Sequence, residues 1–203
     1  LTWSGVYIMK GKFRMAITSA NTAQGTSALT DQDADCAFEA AFDAHWSWVC
    51  TTLYRLVGDW GEAEDLALEV FYRLHERPPK ERSKLGSWLY RVATNVGLNA
   101  LRARQRRHRY EEAAGAFKLE HATPVDPAAE VERREACQRV RQVLAQMKPR
   151  AAQLLVLRHS GLSYADIAAT LNVAPGSVGT LLARAEKEFE RRYRALEGRD
   201  EAP

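Results

Sequence analysis

From Arg91 to Arg109 the chain carries no aspartate or glutamate. At 100° per residue, Arg91, Asn95, Asn99, Arg102 and Arg106 fall within about 80° of one another on a helix, and the run closes with five arginines among residues 102–109. A merely solvated helix face mixes charge signs. Amides and guanidiniums without a carboxylate fit a polyanion: asparagine hydrogen-bonds base edges and arginine neutralises phosphate. A second polar set, Ser177, Thr180, Arg184, Lys187 and Arg191, lies opposite Val178, Leu182, Ala185 and Phe189, which recur at steps of 4, 3 and 4. Ile167, Ala168 and Leu171 mark the face of a shorter helix before it, and Val173 with Pro175-Gly176 is expected to turn the chain. This is the pattern of a helix-turn-helix, whose second helix enters the major groove with early residues on base edges and later cations on phosphate. An ordinary helical hairpin would share the motif.

A third set has the opposite sign. The helix Ala63–Leu74 is expected to bury Leu66, Val70 and Leu74 and to turn Asp65, Glu69, Tyr72 and Glu76 outward on one stripe. Such a face repels DNA; it is either solvated or a docking surface for a basic protein. Catalytic arrangements are missing from the sequence. His45, His75, His108, His121 and His159 have no metal-ligand spacing, and there is no P-loop, GxSxG elbow or HExxH. An enzyme is therefore the weakest class, and no metal or cofactor is expected.

The elements that position these residues read as helices throughout. Phe38, Phe42, Trp46 and Val49 recur at helical spacing, Gly58-Asp59-Trp60-Gly61 interrupts, and Glu62 opens the acidic helix. After the Pro78-Pro79 break a helix starts near Lys84, with Leu85, Leu89, Val92, Val96, Ala100 and Ala103 as its buried stripe. Residues 110–130 lose periodicity and hold two prolines, as a linker does. The expected fold is all-α, with two small helical domains at 35–109 and 131–195. A disordered leader at 1–34, the flexible linker at 110–130 and a tail at 196–203 complete it.

Of 203 residues 46% are hydrophobic, normal for a water-soluble chain, and the net charge of +3 is too mild to identify a partner. The distribution of charge is what informs. Cys36, Cys50 and Cys137 are widely spaced and read as reduced thiols. No apolar run of 18 residues and no signal-peptide core appear, so the expected location is the cytoplasm, without membrane insertion. The chain opens on Leu1, with Met9 and Met15 as alternative starts.

In this order and spacing the three constellations resemble the sigma-70 family of bacterial RNA polymerase initiation factors, specifically its extracytoplasmic-function (ECF) group, over about residues 36–195. Ala63-Glu64-Asp65-Leu66 with Glu69-Val70-Phe71 is similar to region 2.2. The resemblance implies that Asp65, Leu68, Glu69, Phe71 and Tyr72 bind core polymerase. Trp88–Asn95 with the trailing arginines is similar to regions 2.3 and 2.4, implying that Arg91, Asn95, Asn99, Arg102 and Arg106 act on the minus-10 element, with a flipped base held near the loop Glu81–Gly86. Leu162-Ser163-Tyr164, Ile167-Ala168 and Gly176-Ser177-Val178 resemble region 4, which binds the minus-35 element, here through Ser177, Thr180, Arg184 and Lys187.

Three departures stand out. Leu68 replaces a frequent glutamine and Asn99 a frequent aspartate. Val178-Gly179-Thr180-Leu181-Leu182 replaces a common Val-Lys-Ser-Arg-Leu, so two customary cations are gone. The resemblance implies a two-domain specificity subunit whose partners are bacterial core RNA polymerase, promoter DNA and an anti-sigma protein that regulates it from outside the chain. The alternative from another class is a free-standing helix-turn-helix regulator, which leaves the acid-free helix unexplained; an adaptor binding only proteins predicts no salt-dependent DNA affinity.

Overall fold

Helix formers broken by short Gly, Pro and Asn punctuation give a chain of helices, and the computed structural model, which describes residues 28–113 and 127–200, has no strand among them. Seven α-helices follow in order: α1 Ala28–Val57, α2 Trp60–Glu76, α3 Leu85–Ala113, α4 Pro127–Gln146, α5 Pro149–His159, α6 Tyr164–Leu171 and α7 Pro175–Asp200; a 3-10 turn, Arg82–Lys84, leads into α3. The expected boundaries shift at three places. Helix α1 starts at Ala28, inside the expected leader, the rest of which lies outside the described residues. Of the expected linker, α3 takes the first residues through Ala113 and α4 the last from Pro127, since Glu-Glu-Ala continues a helix readily and proline suits a first helical position. Helix α7 runs to Asp200, into the expected tail.

The chain divides into compact units of residues 1–45 and 46–203. In the described part of the first, Phe38 and Phe42 set their rings 6.3 Å apart and Cys36 is exposed. The second contains both halves that the sequence separates.

Its first half is built on apolar α1 positions 46–57. Trp46 packs on Phe71 with ring centroids 5.8 Å apart. Val49, Leu53, Leu56, Ala63, Ala67, Val70, Leu74, Leu89, Ala93 and Val96 are buried around them. A Cβ on Gly97 would stand 2.5 Å from Leu56 Cδ1, so any larger residue there would have to push the Leu56 side chain aside where α1 and α3 meet. Burial, then the Glu64 carboxylate, push the Cys50 thiol up to about 12, which marks it as an inert core residue rather than a reactive one. No helix among the described residues is long and apolar enough to cross a membrane.

The second half packs on the first. Helix α3 contacts α4, α5 and α6 as well as α2, and Leu56, Leu98 and Leu101 join Val143, Leu144, Met147, Leu154 and Leu157 in one apolar cluster. A polar latch accompanies it. Arg141 of α4 donates from Nε to the Arg55 carbonyl at 3.1 Å, capping the end of α1. Its guanidinium lies over Gly58, where an added Cβ would meet Nη1 at 2.5 Å, and Gly58 itself sits at φ +84. Burial holds this guanidinium below its ordinary value.

Gly58→Ala is therefore expected to act twice, through left-handed strain of about 1–2 kcal/mol and through displacement of Arg141. The strain alone should lower the melting temperature by roughly 2–8 °C in a unit of this size. In an Arg141→Ala background only the strain should remain; equal losses in both backgrounds would show that the guanidinium is not seated on Gly58.

Candidate nucleic-acid and polymerase interfaces

Helix α2 is capped by Asp59, whose Oδ1 accepts the Glu62 amide at 2.7 Å. Its outward stripe is the expected one: Asp65, Glu69, Tyr72 and Glu76 are exposed. Glu69 pairs with Arg73 at 2.5 Å, and the Tyr72 hydroxyl donates to Glu76 at 2.7 Å. That bond, with the Glu76 charge, raises the phenol above its ordinary value. Two expectations are corrected. Phe71 is fully buried against Trp46, because it continues the Ala67–Leu74 face, so it supports the helix and offers nothing to a partner. Leu66 is only half-buried; Ala63, Ala67, Val70, Phe71 and Leu74 form the packed face. Leu68 is half-buried at the edge of the stripe.

On α3 the predicted polar face divides into two. Arg91, Asn99 and Arg106 are exposed, whereas Asn95 and Arg102 are half-buried under the second half. Asn95 Oδ1 accepts from Gln153 Nε2 of α5, and Arg102 Nη2 reaches the Met147 carbonyl at 3.5 Å. Burial, and then Arg106, hold the Arg102 guanidinium below its ordinary value. The buried arc is wider than the expected stripe. Leu89 and Val96 are buried as predicted, but Leu85, Val92, Ala100 and Ala103 are half-buried, and Ala93, Thr94, Leu98 and Leu101 are buried instead. The reason is that α3 is packed from two sides. On the helical wheel Leu98 lies only about 20° from Arg91, and a leucine inside a polar face was the signal for a second packing partner. Beside the loop at Glu81–Gly86, Lys84 pairs with Glu81 at 2.9 Å, and Gly86 opens towards the Tyr90 ring. Trp48 meets Tyr90 edge-on, with centroids 4.0 Å apart.

The helix-turn-helix is α6 and α7. Ser163 and Asp166 form a reciprocal capping box at the start of α6. The turn differs from the expected one. Asn172 takes the left-handed conformation at φ 52 and ends α6, while Pro175 and Gly176 are already the first residues of α7. Asparagine tolerates that conformation and proline suits a helix start, so the break falls three residues earlier. Ile167, Ala168, Leu171, Val178, Leu182 and Ala185 are buried as expected. Ser177, Thr180, Arg184, Lys187 and Arg191 are all exposed on the outer side of α7. Gly179 faces Tyr164 at ordinary contact, 3.6 Å from an added Cβ, and Tyr164 carries Arg158 over its ring at 5.4 Å.

Comparison with known proteins matches residues 41–107 to Sigma-70 region 2 and residues 137–189 to Sigma-70, region 4. The chain is 32% identical over 153 residues to the RNA polymerase sigma-H factor of Pseudomonas aeruginosa, covering 71% of this chain and 79% of that one. The chain belongs to the sigma-70 family. It is also 28% identical to the ECF RNA polymerase sigma factor SigW of Bacillus subtilis over 175 residues, 82% of this chain and 92% of the relative. A solved sigma factor RpoE, in complex with the anti-sigma factor NepR from Bartonella quintana, aligns with TM-score 0.42 at 18% identity over 81% of this chain and 96% of that one. The protein is an ECF-type RNA polymerase sigma factor, a transcription initiation factor.

In this sigma factor the region 2 match runs from within α1 into α3, and the region 4 match from within α4 into α7. Two of the five expected minus-10 residues, Asn95 and Arg102, touch region 4. Sequence reasoning missed Gln153, Met147 and Arg141, which make these contacts; their partners are 58, 45 and 86 residues away, beyond the reach of any local pattern.

Proposed function

We propose that this sigma factor is a non-catalytic, cytoplasmic specificity subunit that docks on core RNA polymerase through Asp65, Leu68, Glu69 and Tyr72. It engages the minus-10 element through Arg91, Asn95, Asn99, Arg102 and Arg106, and the minus-35 duplex through Ser177, Thr180, Arg184 and Lys187. The observation that carries the reading is that the acid-free face of α3 and the outer face of α7 are both polar and cationic, while the acidic stripe of α2 is confined to a separate helix. Asn95 and Arg102 are engaged by region 4, so regions 2 and 4 must part before the whole α3 face meets DNA. Core polymerase and an anti-sigma protein are the partners expected to favour opposite arrangements. In vitro transcription with bacterial core enzyme on genomic fragments tests the reading. Transcripts that appear only with this chain support it; duplex binding without core and no transcripts would replace it with a free-standing regulator.

On α7, Arg184→Ala is expected to cost discrimination at one minus-35 position, because a bidentate arginine–guanine contact is worth about 1–3 kcal/mol. Gly179→Lys should strengthen binding severalfold, since the site has room for a Cβ and the change adds charge and helix propensity. Titrating the full chain with core polymerase against minus-35 variants at two salt concentrations checks both. Weaker binding of Gly179→Lys would mean that the backbone there approaches DNA too closely for a side chain.

A further inference from the structure

Where the C-terminal part of α3 passes α4 and α7, a cleft of about 350 Å³ opens. Arg102, Gln105, Arg106 and Arg109 line it from α3, Gln146 from α4 and Arg192 from α7, and no carboxylate residue is on its wall. Arg192 is braced by Glu188, which accepts from Nε at 3.1 Å and Nη2 at 3.0 Å; these bonds fix the guanidinium while leaving Nη1 outside them. Arg106 and Arg109 are exposed. Burial first, and then the like charge of Arg106, hold the Arg102 guanidinium below its ordinary value. Arg192 already has Glu188 as its counter-ion, whereas Arg102, Arg106 and Arg109 bring three more cations to the same wall with no carboxylate residue on it, an arrangement that an added anion stabilises. Their planar, multidentate donors suit phosphate oxygens better than any monovalent ion.

We propose that this cleft binds a di- or triphosphate group, and that the bound anion holds regions 2 and 4 together. Its walls come from both regions, so the anion binds the closed arrangement better than the open one and shifts the balance toward it. It also occupies Arg102 and Arg106, so it competes with minus-10 DNA; this last clause alone rests on the proposed function. The volume accommodates a short phosphate chain.

Calorimetric titration of the full chain with inorganic tripolyphosphate and pyrophosphate, against sulfate at matched ionic strength, tests the site. Saturable one-site binding is expected, with sulfate about tenfold weaker or more. Gln146→Glu places a carboxylate on the wall without removing an arginine, and Arg192→Gln removes the α7 cation. Each should weaken tripolyphosphate about tenfold or more while leaving core polymerase binding unchanged. Absence of saturable binding overturns the site, and so does undiminished binding in both variants, which would assign the anion to the arginine run of α3 alone. Small-angle scattering on a Leu98→Ala variant, in which the apolar contact between the two regions is weakened, should show a smaller radius of gyration with tripolyphosphate than without; no change or an increase overturns the closure. If tripolyphosphate binds yet leaves single-stranded minus-10 DNA binding by the polymerase complex unaffected, the site stands and the assignment of Arg102 and Arg106 to the promoter falls.

Discussion

Alanine at Asn95, Asn99 and Arg102 together is expected to reduce promoter opening about 100-fold or more while leaving recruitment of core polymerase intact. Each side chain is proposed to make a base or phosphate contact once regions 2 and 4 have parted, a base contact being worth about 1–3 kcal/mol, and a combined loss near 3 kcal/mol corresponds to roughly 100-fold. Permanganate reactivity on a duplex promoter reads the opening, and a preopened heteroduplex should recover part of it. The triple variant also removes two contacts that close the molecule, the Asn95–Gln153 bond and the Arg102 approach to Met147. Gln153→Ala separates the effects, because it releases Asn95 without touching the proposed DNA face. That single variant should open promoters as well as or better than the parent chain. Normal opening by the triple variant would remove these residues from minus-10 recognition.

Reversing the acidic stripe, Asp65→Lys with Glu69→Lys, is expected to weaken binding to core polymerase by about 100-fold. On the proposed docking face two attractive pairs would become two repulsive ones, and truncating one partner of a buried interfacial charge pair alone costs about 2–5 kcal/mol. Both residues are exposed, so the fold should tolerate the change. Glu69→Lys does set a lysine beside Arg73, its present ion-pair partner, at a cost of only a few tenths of a kcal/mol. Unchanged helical content by circular dichroism together with lost pull-down supports the docking face. Undiminished pull-down would leave the stripe as a solvated surface.

What the sequence made legible was local. The α7 pattern of Val178, Leu182 and Ala185 named the buried face and, by exclusion, the exposed Ser177, Thr180 and Arg184, because a helix on one side of a small core shows a clean period. The outward stripe of α2 followed from the same arithmetic. Phe71 went the other way: its place in a family motif pointed to a partner, whereas its position on the Ala67–Leu74 face made it part of the core. The α3 stripe was misplaced because its periodicity superimposes two packing interfaces. Leu98 and Leu101 belong to the second, and no single-helix pattern explains them. The contacts of Arg141 and Gln153 depend on how separate helices dock, which no short window encodes.

The double burial of α3 also sets a toll on recognition. Leu98 is a core residue of the closed protein and a near neighbour, on the same helix, of the residues proposed to read the promoter. The free chain thus offers its whole proposed minus-10 face only through the fraction of molecules that have exposed this leucine. If one molecule in a hundred is open, apparent affinity for the minus-10 element falls about 100-fold below the intrinsic value. A partner that binds only the open form repays that factor by mass action, so free sigma factor would stay off promoters through an internal equilibrium and need no separate inhibitor for its basal silence. Substitutions that shrink Leu98 would then trade stability for leakiness, and their effect on transcription would be opposite in sign to their effect on folding.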